Sequence, residues 1–272
     1  MALQIFNQLD RNKADANKEW LRRAIQAAIK EYHVRLNLTS ISPLTRTFLQ
    51  TIWMALPRLD PATGLSRYRP DGVGIPPETE ASHFTHILEP YAHKHGLSIL
   101  DFCEKYNDGE LKEPGLDEYF LHDRAVRESG HDTTYRFEKI CANLATIDLN
   151  SLLYKYEIDI ATAIRDVFDD SLELEDEFPL SPFPPTPEAF EALKRDPSSQ
   201  IPSTKTPQSS NVWFQRAAFR KERIDRYLWN DSKKLYFDYD TVKKRQINYE
   251  SATAFWALWA GCASEEQAWK LV

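Results

Sequence analysis

The stretch "DLNSLLYKYEIDIATAIRDVF", residues 148–168, decides the fold class. Its large apolar residues recur three and four positions apart: Leu149, Leu153, Tyr156, Ile160, Ile164 and Phe168. This spacing places them on one face of an α-helix. Asp148 or Asn150 is a suitable N-cap, because the side-chain oxygen of either residue can accept an unpaired N–H group of the first turn. The stretch therefore predicts an amphipathic helix that buries one face.

Three other segments have helical patterns, and patterns typical of strands are scarce. Asp15 can cap a helix that runs to about Tyr32, and residues 212–229 predict another helix. "SATAFWALWAGCA" (251–263) predicts a short, very apolar helix that must be buried on most sides. The best strand candidate is a hairpin in 233–249, with its turn at Asp238 to Asp240. The sequence thus predicts an all-α chain with long loops.

Two long segments lack a helical pattern. Residues 57–80 hold five of the sixteen prolines and three of the eight glycines, a composition that argues against both helix and regular sheet. A loop of this length in a compact domain is typically functional. Residues 179–210 hold eight prolines and six serines, and this composition predicts a flexible surface insertion, either without a catalytic role or serving in regulation or docking.

Composition and charge argue against several classes of protein. The net charge is -7 and no basic cluster is present, so we expect no nucleic-acid partner. No run of 18 apolar residues predicts a membrane span, and the first residues lack the pattern of a signal peptide. The three cysteines are scattered, which predicts reduced thiols in a cytoplasmic protein. No metal-ligand spacing is visible, so we expect no metal and no cofactor.

The segment "RESGHD" (127–132) admits two interpretations. Asp132 follows a glycine and precedes "TTYRF", a setting that suits a helix N-cap. Arg127 would then form an ordinary surface ion pair, and His131 would be a satisfied polar residue. Alternatively, Asp132 performs chemistry while nearby cations bind a polar substrate. Local residue types leave both interpretations open.

Longer stretches resemble a known family. "LDEYFLHDRAVRESGHDTTYRFE" (116–138) and "LATIDLNSLLYKYEIDIA" (144–161) are similar to the catalytic region of trehalases, which hydrolyse the α,α-1,1 bond of trehalose. "PRLDPATGLSRYRPDGVGIPPETEASHF" (57–84) and "YESATAFWALWAG" (249–261) resemble the same family, in its fungal neutral, cytosolic branch. The resemblance implies an (α/α)6 barrel, of which residues 1–272 would form an incomplete catalytic domain.

The resemblance also implies roles for individual residues. These trehalases hydrolyse their substrate with inversion, using one carboxylic acid and one carboxylate that activates water. Asp132 matches the general acid, while Glu78, Arg127 and Gly130 match positions that contact the sugar. An acid that works near pH 7 needs a pKa roughly two to three units above the ordinary value for Asp, which burial can provide. The general base is expected beyond residue 272.

The resemblance leaves three alternatives for function. The first is a trehalose hydrolase for which this chain supplies the general-acid half. The second is a truncated, inactive fragment, or an interaction partner of the full-length enzyme. The third is a different glycosidase of the same architecture, which fold alone would permit. Calcium would bind only through a regulatory region that this chain lacks, and a regulatory protein partner is expected only for the full-length enzyme.

Residues 34–50, "VRLNLTSISPLTRTFLQ", interrupt the resemblance. Without these 17 residues, the flanking sequence joins as in the family. We hypothesise that they are a translated, retained intron. The alternative is a genuine surface insertion.

Overall fold

The structure is a computed structural model that describes residues 13–33, 53–54, 56–77, 80, 82–131, 134–175, 180–181, 183–195 and 206–272. The chain forms two compact units. The first unit comprises Met1–Arg67 and Asn143–Val272, and the second unit comprises Tyr68–Ala142. The predicted segment 34–50 and the site positions Glu78 and Asp132 lie outside the described residues.

Helices dominate the regular structure, which confirms the predicted all-α class. The α-helices are α1 (Ala14–His33), α2 (Thr85–Lys94), α3 (Ile99–Asn107), α4 (Pro114–Ser129), α5 (Ile147–Val167), α6 (Pro187–Arg195), α7 (Ser210–Tyr227), α8 (Trp256–Ala260) and α9 (Glu265–Leu271). The strands are β1 (Leu59–Asp60), β2 (Leu65–Ser66), β3 (Leu144–Ala145), β4 (Trp229–Asn230), β5 (Leu235–Tyr236), β6 (Tyr239–Asp240) and β7 (Arg245–Gln246). None of the helices that the structure describes combines the length and apolarity needed to cross a membrane.

Helix α5 is the central helix of the first unit and packs mainly on α7 and α8. Its predicted apolar face is buried except for Tyr156. The predicted caps are wrong: α5 begins at Ile147, whose N–H donates to Asp238 Oδ1 at 3.0 Å. Asp148 therefore lies in the first turn, and the Asn150 side chain bonds to Ser66 instead. Asp15 likewise lies inside the first turn of α1.

Three short hairpins in the first unit share one design. Strand pairs β1–β2, β4–β5 and β6–β7 each enclose four residues. The side chain before each loop accepts the backbone N–H three residues later: Asp60 from Thr63, Asn230 from Lys233 and Asp240 from Lys243. The last loop residue adopts a left-handed backbone, at Gly64, Lys234 and Lys244. Asp and Asn suit this role because their side chains bond to nearby backbone.

These hairpins correct two predictions. Residues 57–80 contain regular sheet after all, because β1 and β2 pair around Pro61. In the segment 233–249, the predicted turn at Asp238 to Asp240 is wrong, since Tyr239 and Asp240 form strand β6. The two real turns precede β5 and β7. Side-chain hydrogen bonds from Asn230 and Asp240 define them, rather than glycine or proline.

The segment 251–263 is helical but less buried than predicted. A 3-10 turn (Ala252–Phe255) leads into α8, which ends at Gly261 with φ +73°. Ala257 and Ala260 face the core, while Phe255 and Trp259 are 46% and 58% exposed. The small residues pack inwards and the aromatic rings face outwards, so the expectation of burial on most sides is wrong.

The second unit contains α2, α3 and α4 around an aromatic core. Phe84, Phe102, Tyr106 and Phe120 are buried and make edge-on or stacked ring contacts. Helix α3 is capped by Ser98, which accepts the N–H of Asp101 at 3.1 Å. Pro114 occupies the first turn of α4, where a missing N–H costs nothing. This core fixes α4, the helix that carries the candidate site.

The described part of 179–210 is not irregular throughout, since it contains α6. Leu172 and Gln208 form an isolated antiparallel bridge, with N···O distances of 3.0 and 2.8 Å. The Ser210 N–H donates to Asp170 Oδ1 at 2.8 Å. The segment is therefore fixed to the first unit at its end, and earlier in the segment Ser181 accepts a hydrogen bond from Arg216 of α7 at 3.2 Å while Phe183 contacts Phe219. Its predicted flexibility stays a prediction.

Candidate functional site

The candidate site lies at the C-terminal end of α4, in the second unit. Gly130 follows the helix with φ +71°, a left-handed conformation that favours glycine. Its N–H bonds to the carbonyl of Arg127 at 3.2 Å. The "RESG" part of the motif is therefore the last turn of a helix with its stop signal. The glycine turns the chain away from the helix immediately before His131 and Asp132.

Arg127 is held on three sides. Its Nε donates to Asp123 Oδ2 at 2.7 Å, one helical turn earlier. The guanidinium carbon lies 5.6 Å from the centroid of the Phe84 ring, and Nη2 lies 3.4 Å from His83 Nε2. A charge-assisted bond and a ring face both restrict the side chain. Since Arg127 is 35% exposed at the side chain, it can still reach a ligand.

The residues that flank Asp132 argue against the helix-cap interpretation. No helix follows it in the described residues 134–140, which form turns in which Glu138 and Lys139 have positive φ. The Thr134 N–H donates to the His131 carbonyl at 3.0 Å, so the described neighbours of Asp132 lie close together. A helix N-cap needs a helix to cap. This alternative is therefore wrong.

The residues that flank Glu78 also reach α4. On the N-terminal side, Arg124 Nη2 donates to the carbonyl of Gly74. On the C-terminal side, His83 and Phe84 contact Arg127. Arg124 and Arg127 are three residues apart, about one turn of α4. The loop that carries Glu78 thus begins and ends on the same part of one helix.

Burial and nearby charges shift the pKa values of two side chains on this part of α4. Burial is the main cause that lowers the pKa of Arg124, and the nearby Tyr106, Asp123 and Asp117 oppose it. Burial also raises the pKa of Tyr119, where Asp123 adds to the effect and Arg127 opposes it. In the part of the chain that the structure describes, no group of three His, Cys, Asp or Glu side chains could hold a metal ion.

Sequence reasoning missed three residues of this region. Asp123 orients Arg127, while Arg124 and Asn107 bind the loop before Glu78. The four-residue spacing of Asp123 and Arg127 could have predicted their ion pair on a helix. The contacts of Arg124 and Asn107 bridge 50 and 32 residues respectively, and no local pattern indicates them.

Comparison with known proteins gives a consistent result. Residues 3–272 match the family model described as Trehalase. The chain is 52% identical over 270 residues to a cytosolic neutral trehalase of Emericella nidulans, covering 98% of this chain and 31% of that protein. It is 50% identical over 273 residues to a cytosolic neutral trehalase of Saccharomyces cerevisiae, covering 100% of this chain and 30% of that protein.

A solved structure agrees with these matches. The neutral trehalase structure from Saccharomyces cerevisiae matches with a TM-score of 0.77 and 48% identity, covering 99% of this chain and 41% of that chain. This match supports the predicted class, all-α with the helices of an (α/α)6 barrel. The chain spans about a third of the length of the curated relatives that it matches.

Proposed function

The chain belongs to the trehalase family, and from this premise we propose that it supplies the general-acid half of a site that hydrolyses α,α-trehalose to two glucose molecules. One observation carries the proposal. The described residues on both sides of Glu78 contact α4 near its end, where Arg127, Gly130 and the neighbours of Asp132 also lie. Arg127 and Gly130 therefore lie at one helix terminus, and described residues on both sides of Glu78 in the sequence contact the same helix, which supports the proposal.

The proposed chemistry is inverting hydrolysis. Asp132 donates a proton to the bridging glycosidic oxygen, while a carboxylate on the opposite face activates water. That second carboxylate is expected outside residues 1–272. Glu78 and Arg127 bind sugar hydroxyl groups, and Gly130 provides the close turn beside them. Asp123 already neutralises part of the Arg127 charge, which favours a neutral, proton-carrying Asp132.

The relatives' names support a cytosolic location, since several are called cytosolic neutral trehalases. The reaction needs neither metal nor cofactor, because carboxyl groups supply both proton transfers. We propose no calcium site within these residues. A regulatory partner, if the full-length enzyme has one, would bind elsewhere.

Glucose release from trehalose tests the proposal. It should be measured for the 272-residue chain and for a version extended to the full length of its relatives. We expect activity only in the extended version. There, Asp132→Asn should lower kcat by about 10²- to 10⁴-fold, because proton donation acts in the transition state.

Asp108→Asn is the matched control, since Asp108 is exposed at the end of α3 and lies outside the proposed site. Its kcat should equal that of the unaltered enzyme. Near-normal turnover of Asp132→Asn would show that the acid is another residue. An extended version that hydrolyses a different disaccharide but not trehalose would favour another glycosidase of this architecture.

A second candidate is a chain that is inactive alone and works only when joined to further protein surface. The exposure of large aromatic side chains near the C-terminus favours it: Phe255, Trp259 and Trp269 are 46%, 58% and 78% exposed. Exposed apolar surface of this kind marks an interaction site or an aggregation hazard. Sedimentation of the isolated chain tests this, and a monodisperse, active monomer would contradict it.

A further inference from the structure

Two side chains from different helices hold the described part of the loop before Glu78. Arg124, on α4, donates from Nη2 to the carbonyl of Gly74. Asn107, the last residue of α3, accepts the N–H of Ile75 with Oδ1 at 2.9 Å. Consecutive backbone groups of the loop are thus bound from opposite sides.

The glycines of this loop allow that close approach. A Cβ at Gly72 would lie 2.8 Å from Arg124 Nε, closer than real contacts permit. A Cβ at Gly74 would lie 2.6 Å from Asn107 Oδ1, and Gly74 has φ +72°. Both positions therefore need glycine for a specific neighbour, and those neighbours are the two residues that bind the loop.

The loop also packs against the core of the second unit. Pro76 is buried, and Ile75 packs against the aromatic core of the second unit. Burial lowers the pKa of Arg124, and the charges of Tyr106, Asp123 and Asp117 oppose this effect. A guanidinium that is fixed by neighbouring groups loses less conformational freedom when it binds a carbonyl.

We propose that Arg124 and Asn107 are positioning residues, which fix residues 72–75 against α3 and α4 so that the chain that follows starts from a set point about one turn of α4 from Arg127. The functional consequence rests on the proposed function, because Glu78 follows Gly74 by four residues. Four residues reach at most about 14 Å, so fixing Gly74 restricts where the Glu78 carboxylate can lie.

Hydrogen exchange of the backbone amides of residues 71–75 tests the anchoring directly, and the amide of Ile75 reports on the Asn107 contact. In Arg124→Gln and in Asn107→Ala, we expect exchange in this loop to rise at least about tenfold, while exchange in α5 is unchanged. Arg124→Lys retains a cationic donor and should restore part of the protection. Trehalose affinity should fall in the same order as the protection when it is measured by calorimetry on extended versions that also carry Asp132→Asn, which prevents hydrolysis during the measurement.

The glycines provide a matched control. Gly74→Ala and Gly96→Ala both place Ala at a positive φ, but only Gly74 has a close neighbour. Gly74→Ala should raise loop exchange and weaken trehalose binding, and Gly96→Ala should do neither. Unchanged exchange in residues 71–75, or a rise spread over the whole chain, overturns the anchoring. If the extended version without substitutions does not hydrolyse trehalose, the proposed function fails, and the exchange result still decides the anchoring.

Discussion

Arg220 donates from Nε to Glu157 Oε1 at 2.9 Å, and both side chains are almost completely buried in the first unit. Tyr32 donates to the same carboxylate oxygen, and Arg220 also binds Asn150 Oδ1 at 3.0 Å. Burial lowers the pKa of Arg220, but the charges and hydrogen bonds of Glu157 and Tyr32 together outweigh this effect and raise the pKa above the ordinary value. The four side chains join α1, α5 and α7.

Glu157→Gln should therefore lower the free energy of unfolding by about 3 to 5 kcal/mol, because it leaves a buried guanidinium without its counter-charge. Asp159→Asn is the control on the same helix. Its ion pair with Lys155 is partly exposed, so the loss should stay below about 1 kcal/mol. Urea unfolding measures both. Replacing Arg220 by Met in the Glu157→Gln background should recover stability, and equal losses in the two single variants would refute this account.

At two equivalent left-handed loop positions, Gly64 and Lys244, we expect substitutions to have opposite effects on stability. Gly64→Ala should lower the free energy of unfolding by more than about 1 kcal/mol. The reasons are that φ is +73° at this position and that the new Cβ would lie 2.8 Å from Phe219 Cε1. Lys244→Gly should stabilise by up to about 1 kcal/mol, since it relieves a left-handed lysine at φ +55°. Thermal unfolding of both variants checks the pair, and a stabilising Gly64→Ala would contradict it.

The buried thiol of Cys262 should make the stability of the chain depend on pH in the alkaline range. Burial raises the pKa of its thiol to about 11, although Ser151 and Lys221 oppose this. The folded chain favours the neutral thiol. The contribution of this thiol to the free energy of unfolding is therefore fully present below pH ~9 and is lost as the pH rises towards 11. About 1 kcal/mol should be lost between pH 9 and 10. Urea unfolding of Cys262→Ala should show a shallower pH dependence, and identical slopes would exclude this cause.

Asp123 predicts a change in substrate affinity without a change in stability. Asp123→Asn removes the charged partner of Arg127, a one-turn pair that is partly exposed, so the free energy of unfolding should change by less than about 1 kcal/mol. In the extended enzyme, KM for trehalose should rise several-fold, because the guanidinium is less well oriented. Asp101→Asn, at the exposed start of α3, is the control. An unchanged KM would show that Phe84 and His83 suffice to orient Arg127.

Local periodicity predicted α1, α5, α7 and α8, but it did not predict α2, α3, α4 or α6. Leu149, Leu153, Ile160 and Ile164 are buried as their spacing required. Helix starts were harder to predict, because α5 begins on a contact with Asp238, which lies 91 residues away along the chain. The same limit applies to the hairpins, where Asn230 and Asp240 set turns without glycine or proline.

In the candidate site too, local sequence indicates some residues, while distant segments supply others. Arg127 and Gly130 lie in the last turn of α4 and at its stop, which the motif "RESG" favours locally. The residues that support them come from distant segments, as Asn107 does for Ile75. Periodicity reports which face of an element is apolar, and it carries no information about which distant polar groups meet.

The bridge between Leu172 and Gln208 closes a long segment on the first unit, and only its later part is interchangeable. Ser181 accepts a hydrogen bond from Arg216 of α7 and Phe183 contacts Phe219, so the earlier part supports α7. Because the bridge and the Asp170–Ser210 bond fix the end of the segment, residues between α6 and Gln208 can be shortened or replaced with little effect on α5 and α7. Halving the length of a loop whose ends are fixed changes the free energy of loop closure by only about 0.6 kcal/mol. A reporter domain or a recognition tag should therefore be tolerated within 196–205, a stretch well separated in sequence from the α4 terminus.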